Sequence, residues 1–140
     1  MNQTEPNPAE RPLPRFDATQ SQSDFEYGFF GEMVRRGTNN VHVLKQQAEL
    51  LVLRGEREAA LEIERKLAEL LPEDPIIRYN LACGLAVTGQ SEAAFAQLLE
   101  AVRLGYRDFD LMDSDADLDS LRNHQGFLKL LESQQNADPA

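Results

Sequence analysis

The residues best suited to chemistry lie in one stretch, DFDLMDSDADLD at 108–119, where aspartate fills six of twelve positions. Carboxylates this close together are the raw material of a calcium loop. An EF-hand loop needs oxygen ligands at alternate positions, a glycine for its sharp turn and a bidentate glutamate at the twelfth position. Asp113, Asp115, Asp117 and Asp119 supply the alternation, but Leu118 stands where the glycine belongs and His124 where the glutamate belongs. The stretch therefore reads as capping chemistry. Asp108, Asp113 or Asp115 would accept from the free N–H groups that open short helices, and the remaining aspartates would form a solvated face.

Cys83 with His42 is the other reactive pair to weigh. A nucleophile needs its base within hydrogen-bond reach. On equivalent helices His42 aligns with Ile76, which places it roughly 10 Å along the helix axis from Cys83 at 1.5 Å per residue. No dyad is expected. Cys83 reads as a small, partly buried helix residue, and His124 as a surface residue beside a helix start. Two histidines and one cysteine spread along the chain do not make a zinc site. With no glycine-rich phosphate loop and no G-x-S-x-G, the expectation is a non-enzymatic chain with no cofactor and no metal centre.

The elements that carry these residues are helical. From Asp24, Phe25, Phe29, Phe30 and Met33 recur at helical spacing until Gly37. Val41, Leu44, Ala48 and Leu51 continue the rhythm to Gly55, and Ala60, Ile63, Leu67 and Leu70 to Pro72. Asp74-Pro75 looks like an N-cap followed by proline at the first helical position, where its missing N–H costs nothing. Ile77, Leu81 and Leu85 lead to Gly89. Ser91 is then a plausible cap for a helix bearing Ala94, Leu98, Ala101 and Leu104, and Gly105 closes that helix in a left-handed conformation. No stretch alternates with period two over strand length, so the fold class is all-α.

The chain also matches itself at a shift of 34. Ala48 meets Ala82, Leu51 meets Leu85, Gly55 meets Gly89, Glu58 meets Glu92, Ala59 meets Ala93, Ala60 meets Ala94 and Leu70 meets Leu104. Each unit is helix, glycine turn, helix. Such a pair cannot bury both apolar faces alone and must stack on neighbours. After Gly105 the period breaks: Ala116 supplies the small residue a third repeat would want, but Asp119 and Asn123 stand where leucine and glycine would be wanted. Leu111, Leu118, Leu121, Phe127, Leu130 and Leu131 instead suggest two or three short helices acting as a cap.

Charge and composition exclude several functions. The 140 residues carry a net charge of -10. No basic stripe is present to displace counterions from nucleic acid, and an anionic membrane would repel the chain. No apolar run approaches the ~20 residues of a membrane span, MNQTEPNPAERP has neither region of a signal peptide, and one cysteine excludes an internal disulfide. A cytoplasmic location is expected. Residues 1–22 hold four of the seven prolines and are too polar to order themselves. The expected layout is a disordered tail over 1–22 and a helical domain over 23–134. That domain divides into a lone helix at 23–37, repeats at 39–72 and 73–106, and capping helices at 107–134. A flexible end follows over 135–140.

YNLACGLAVTGQSEAAFAQLLEAVRLG and LKQQAELLVLRGEREAALEIERKLAELLPED resemble the tetratricopeptide repeat (TPR) in their small-residue and glycine pattern. The resemblance covers about residues 23–105. Tyr106 stands where a closing proline is usual, and Glu64 where the family places a large apolar residue. The resemblance implies a short right-handed α-solenoid with a helical C-terminal cap. Its concave face would be lined by Lys45, Gln46, Glu49 and Val52 from the first repeat and by Tyr79, Asn80, Cys83 and Ala86 from the second. One subfamily clamps acidic chaperone tails. Lys45 and Asn80 match two clamp positions, but Glu49, Asp110 and Ser114 replace required residues, and like charge would oppose an acidic tail. The expected ligand is a protein or peptide, a neutral or basic segment. The aromatics of FEYGFF are expected to pack on residues 41–54 as core; self-assembly as a homodimer through that aromatic helix or the cap is the alternative function. An acidic metal-responsive module is the third reading.

Overall fold

The computed structural model describes residues 12–15, 17 and 19–135. Much of the expected disordered tail, and the end beyond Gln135, lie outside the described residues. Seven α-helices lie among the described residues: α1 Gln22–Arg35, α2 Val41–Leu53, α3 Arg57–Leu70, α4 Pro75–Val87, α5 Ser91–Arg103, α6 Phe109–Ser114 and α7 Gln125–Gln135. A 3₁₀ helix, Ala116–Leu121, lies between α6 and α7. Among the described residues there is no strand, so the chain is all-helical.

The helix boundaries obey the 34-residue shift more widely than the residue matches do. α2 and α4 begin and end at positions 34 apart, and α3 and α5 begin 34 apart. The expected break after Gly105 is not a break in this register. α6 and the 3₁₀ helix together cover 109–121, which is α4 shifted by 34, and α7 starts 34 after α5. Gly37, Gly55, Gly89 and Gly105 all have positive φ. A side chain would be strained there, so glycine is what lets α1, α2, α4 and α5 end in a tight reversal.

The chain divides into two compact units, one ending at Ile63 and the other beginning at Glu64, with the division inside α3. In the first, α1 packs on α2. Ser21 caps α1 by accepting from the Asp24 N–H at 3.0 Å. Arg54 pairs with Asp24 and lies 4.0 Å over the Tyr27 ring, whose hydroxyl donates to Glu56 at 2.8 Å. Val43, Leu44, Ala48 and Leu51 are buried. The aromatics of FEYGFF are half-buried, with Phe29 in ring contact with both Phe25 and Phe30.

In the second unit α4 packs on α5, and the 3₁₀ helix lies against both. Asp74 accepts from the N–H groups of Ile76 and Ile77, as the Asp-Pro pair predicts. Ser91 is not a cap: it is already the first helical residue, and Gln90 before it makes no side-chain capping bond. Fully buried Ala82, Ala94 and Ala101 let backbones approach closely, and Leu85 and Leu98 fill the space between. Three further caps order the C-terminal part. Asp108 accepts from Leu111 N–H, Asp115 from Asp117 N–H, and His124 Nδ1 from Phe127 N–H. His124 is thus a helix cap, with its ring tilted against Phe95 at 4.6 Å and its Nε2 2.8 Å from Glu92. Beside it, a Cβ on Gly126 would come within 2.6 Å of the Phe95 ring. Met112, Leu118, Leu121 and Phe127 are completely buried.

Candidate functional site

The feature that organises the second unit is one aspartate in the middle of what would be a helix. Position 115 corresponds, at the 34-residue shift, to Leu81 in α4 and Gln47 in α2, both inside unbroken helices. Aspartate competes for backbone N–H groups and disfavours helix interiors. Asp115 has φ −71° and ψ 117°, extended values that end α6. Its Oδ1 accepts from Asp117 N–H at 3.0 Å and starts the 3₁₀ helix. Its Oδ2 accepts from the Tyr79 hydroxyl at 2.7 Å and from the Cys83 thiol at 3.7 Å.

The break carries the next residues over α4. Ser120 donates to the Ala86 carbonyl at 3.3 Å near the end of that helix, and Leu118 and Leu121 are buried. Tyr79 is stacked on Tyr106, 4.4 Å between centroids and 6° from parallel. Burial first, and the Asp115 hydrogen bond next, raise the Tyr79 hydroxyl well above its ordinary value, so it remains a neutral donor. Burial pushes Tyr106 up to about 12. Burial and then the charges of Asp115 and Asp117 raise the Cys83 thiol. A reactive cysteine needs its thiolate stabilised by positive surroundings, and Cys83 has the opposite.

The residues expected to line a binding face separate into two groups. Lys45 and Glu49 are exposed and Gln46 is half-buried on α2, while Asn80 is exposed on α4. Tyr79 and Cys83 are only 4% and 6% exposed. They depart from the expectation because Asp115 bonds to both, Tyr106 stacks on Tyr79, and the 3₁₀ helix packs on α4. Val52 is half-buried and Ala86 buried; of the eight, the structure joins Tyr79 and Cys83 in one network, through Asp115. The aspartate run mostly does what capping chemistry predicts. Asp108 and Asp115 cap, whereas Asp113 pairs with Arg122, which also reaches Asp119. The link from Asp115 to Tyr79 is absent from the sequence expectations. Its only trace there is an aspartate at the shifted position of Leu81.

Cys83, Asp115 and Asp117 also offer donor atoms within 4.8 Å of one another, a mixed sulfur and oxygen set. Both Asp115 oxygens already accept hydrogen bonds, and the thiol is held protonated, so the cluster is accounted for as a structural network. A shallow depression is bordered by Arg65, Glu69, Pro72, Arg78 and Gln97. Its Arg78 is spent on the Pro72 carbonyl and Gln97.

No family model matches the chain. Over 59 residues it is 39% identical to a chloroplastic protein of Arabidopsis thaliana, a match covering 42% of this chain and 18% of that protein. The chain thus spans less than a fifth of that relative's length. Among the described residues, no helix is long and apolar enough to cross a membrane.

Proposed function

We propose that the chain is a TPR-like, non-enzymatic binding module of cytoplasmic type that takes a protein or peptide segment of neutral or basic character. The observation that carries this reading is the 34-residue register of helix starts, running from α2 to α7, with a left-handed glycine after α2, α4 and α5. A repeat scaffold of this size works by contact, and its function lies in the residues it presents. On α2 those are Lys45, Gln46 and Glu49, and on α4 Asn80. The net charge of -10 disfavours acidic ligands, nucleic acid and anionic membranes by repulsion.

The test is affinity capture from the native lysate with the wild-type chain and with a Lys45→Ala, Glu49→Ala, Asn80→Ala variant. These positions are exposed, so the variant should keep its fold, which circular dichroism checks. A protein held by the wild type and lost by the variant supports the reading. A partner held equally by both moves the site elsewhere.

A second reading, homodimerisation through the first unit, is favoured by one observation. Phe25, Phe29 and Phe30 form a ring cluster that stays half-exposed, and Leu53 is 78% exposed. A sedimentation series in concentration decides it. A dimer that dissociates when Phe29 and Phe30 are changed to serine supports pairing, and a monomer at every concentration rejects it.

A further inference from the structure

We propose that His124 is a proton-controlled cap: its neutral ring closes the N-terminus of α7, and a second proton on the ring breaks that closure. The proposal goes beyond the binding reading and does not depend on it.

His124 stands at the cap position of α7. Its carbonyl accepts from Leu128 N–H at 3.0 Å, the first bond of the helix. Its side chain accepts from Phe127 N–H through Nδ1 at 3.2 Å. The free N–H groups at a helix start need such an acceptor. On other elements the acceptor is an oxygen: Ser21 on α1, Asn40 on α2, Asp74 on α4, Asp108 on α6 and Asp115 on the 3₁₀ helix. Hydroxyl, amide and carboxylate oxygens keep accepting in mild acid. An imidazole nitrogen accepts only while it carries no proton, and histidine is the side chain whose ordinary charge change falls between pH 5 and 8.

The other nitrogen fixes the tautomer. Nε2 lies 2.8 Å from a Glu92 oxygen on α5. With Nδ1 accepting, Nε2 must carry the hydrogen and donate it to that carboxylate. The ring is tilted against Phe95 with 4.6 Å between centroids, and a Cβ on Gly126 would come within 3.1 Å of its Cε1. Turning the ring over would put carbon atoms at both polar contacts. A second proton must therefore sit on Nδ1 and face the Phe127 N–H, donor against donor, at the positive end of the helix. The cap is lost while the Glu92 contact is kept. That loosens the turn carrying Gly126 and the completely buried Phe127.

The charges around the ring do not restore the cap. Glu92 favours the charged ring, but its side chain is 85% exposed, and an ion pair in water contributes little. Arg122, on the turn before α7, is engaged by Asp113, Asp119 and the Asp115 carbonyl. On α6, which packs on α7, Asp110 is exposed, and so are Lys129 and Glu132 further along α7. None of these groups accepts from the Phe127 N–H.

Nuclear magnetic resonance on the full isotope-labelled chain reads both halves of the proposal between about pH 8 and pH 5. Imidazole nitrogen shifts report which nitrogen holds the hydrogen and when the ring takes a second one. Amide hydrogen exchange, corrected for its intrinsic pH dependence, reports the protection of Phe127 N–H. The neutral ring is expected to carry its hydrogen on Nε2. Protection at Phe127 is expected to fall about fivefold as the ring titrates, the scale of one lost cap, while Leu98 in α5 keeps its own. His124→Asn offers an amide oxygen at the same position and should hold the Phe127 protection level across the range. Glu92→Gln should leave the fall in place, because the cap and not the ion pair carries it. The proposal is overturned if the neutral ring carries its hydrogen on Nδ1, if the ring stays neutral down to the lowest pH, or if Phe127 protection does not change as the ring titrates. It is equally overturned if His124→Asn shows the same fall or Glu92→Gln abolishes it.

Discussion

α2 and α4 start and stop at positions 34 apart, yet they meet different surroundings. On α2 the positions of Lys45 and Glu49 stay exposed. On α4 the same positions are Tyr79 and Cys83, and both are buried. Nothing in the local rhythm of either helix distinguishes them. The difference comes from a distant residue, Asp115, which sends the following turn over α4. A face of a repeat helix is surface or core according to what the later chain does. The residue types agree: charges on the open face, a tyrosine and a small cysteine on the closed one.

The strongest way to break this comparison is to hollow out the cover. Leu118 is completely buried under the closed face. Leu118→Ala should lower the free energy of unfolding by about 2–5 kcal/mol, the usual range for emptying a core leucine site. Lys45→Ala and Glu49→Ala on the open face should each stay within about 0.5 kcal/mol. Urea denaturation of the three variants measures both. Equal losses at all three positions would mean the two faces are not different environments. Next in size is Gly126→Ala. The added Cβ would fall 2.6 Å from the Phe95 ring, so α7 must shift, at a cost of about 1–3 kcal/mol. The same denaturation experiment reads it, and a neutral result would show that α7 is not seated on Phe95.

Much of the fold was legible because its signals are local. Glycine at the turns and Asp74-Pro75 at a helix start act over a few residues, and the structure places each as read. Ser91 was misread because cap preference alone does not say which of two adjacent residues, Gln90 or Ser91, ends the turn. The continuation of the register past Gly105 was hidden because the residues diverge there while the positions at which the helical stretches start persist. The inward position of Tyr79 and Cys83 was not legible from α4, because it depends on a contact with a residue more than thirty positions away. A mid-helix aspartate signals that a helix breaks; it does not say which partner the carboxylate will find.

The tyrosines sharpen the comparison by pH. Tyr106 is pushed up to about 12 by burial, and Tyr79 is raised further by burial and Asp115. In the unfolded chain both ionise near 10. Between these values the folded state keeps protons that the unfolded state has lost, so stability falls as pH rises. The contribution is fully present below about pH 10 and declines through about pH 12 as Tyr106 ionises, at about 1.4 kcal/mol per pH unit for each tyrosine that stays protonated. Urea midpoints measured across this range should drop, and Tyr106→Phe should make the drop shallower. An unchanged slope in that variant would place Tyr106 outside the closed face.

The smallest effect belongs to the first unit and runs the other way. Gly28 lies in the interior of α1, has no positive φ, and a Cβ built there meets nothing within 4 Å. Its glycine therefore serves no turn and no close approach, and costs the helix backbone entropy. Gly28→Ala should stabilise the chain by up to ~1 kcal/mol. Gly31 differs, since a Cβ there would lie 3.2 Å from Gln47 Nε2, and Gly31→Ala should gain less or lose stability. The pair is informative because the two glycines are only three residues apart on one helix, so propensity predicts the same gain at both. A thermal melt that shows equal gains would mean Gln47 yields freely. Unequal gains, with Gly28→Ala the more stable, would show that α1 is positioned on α2 by that close approach.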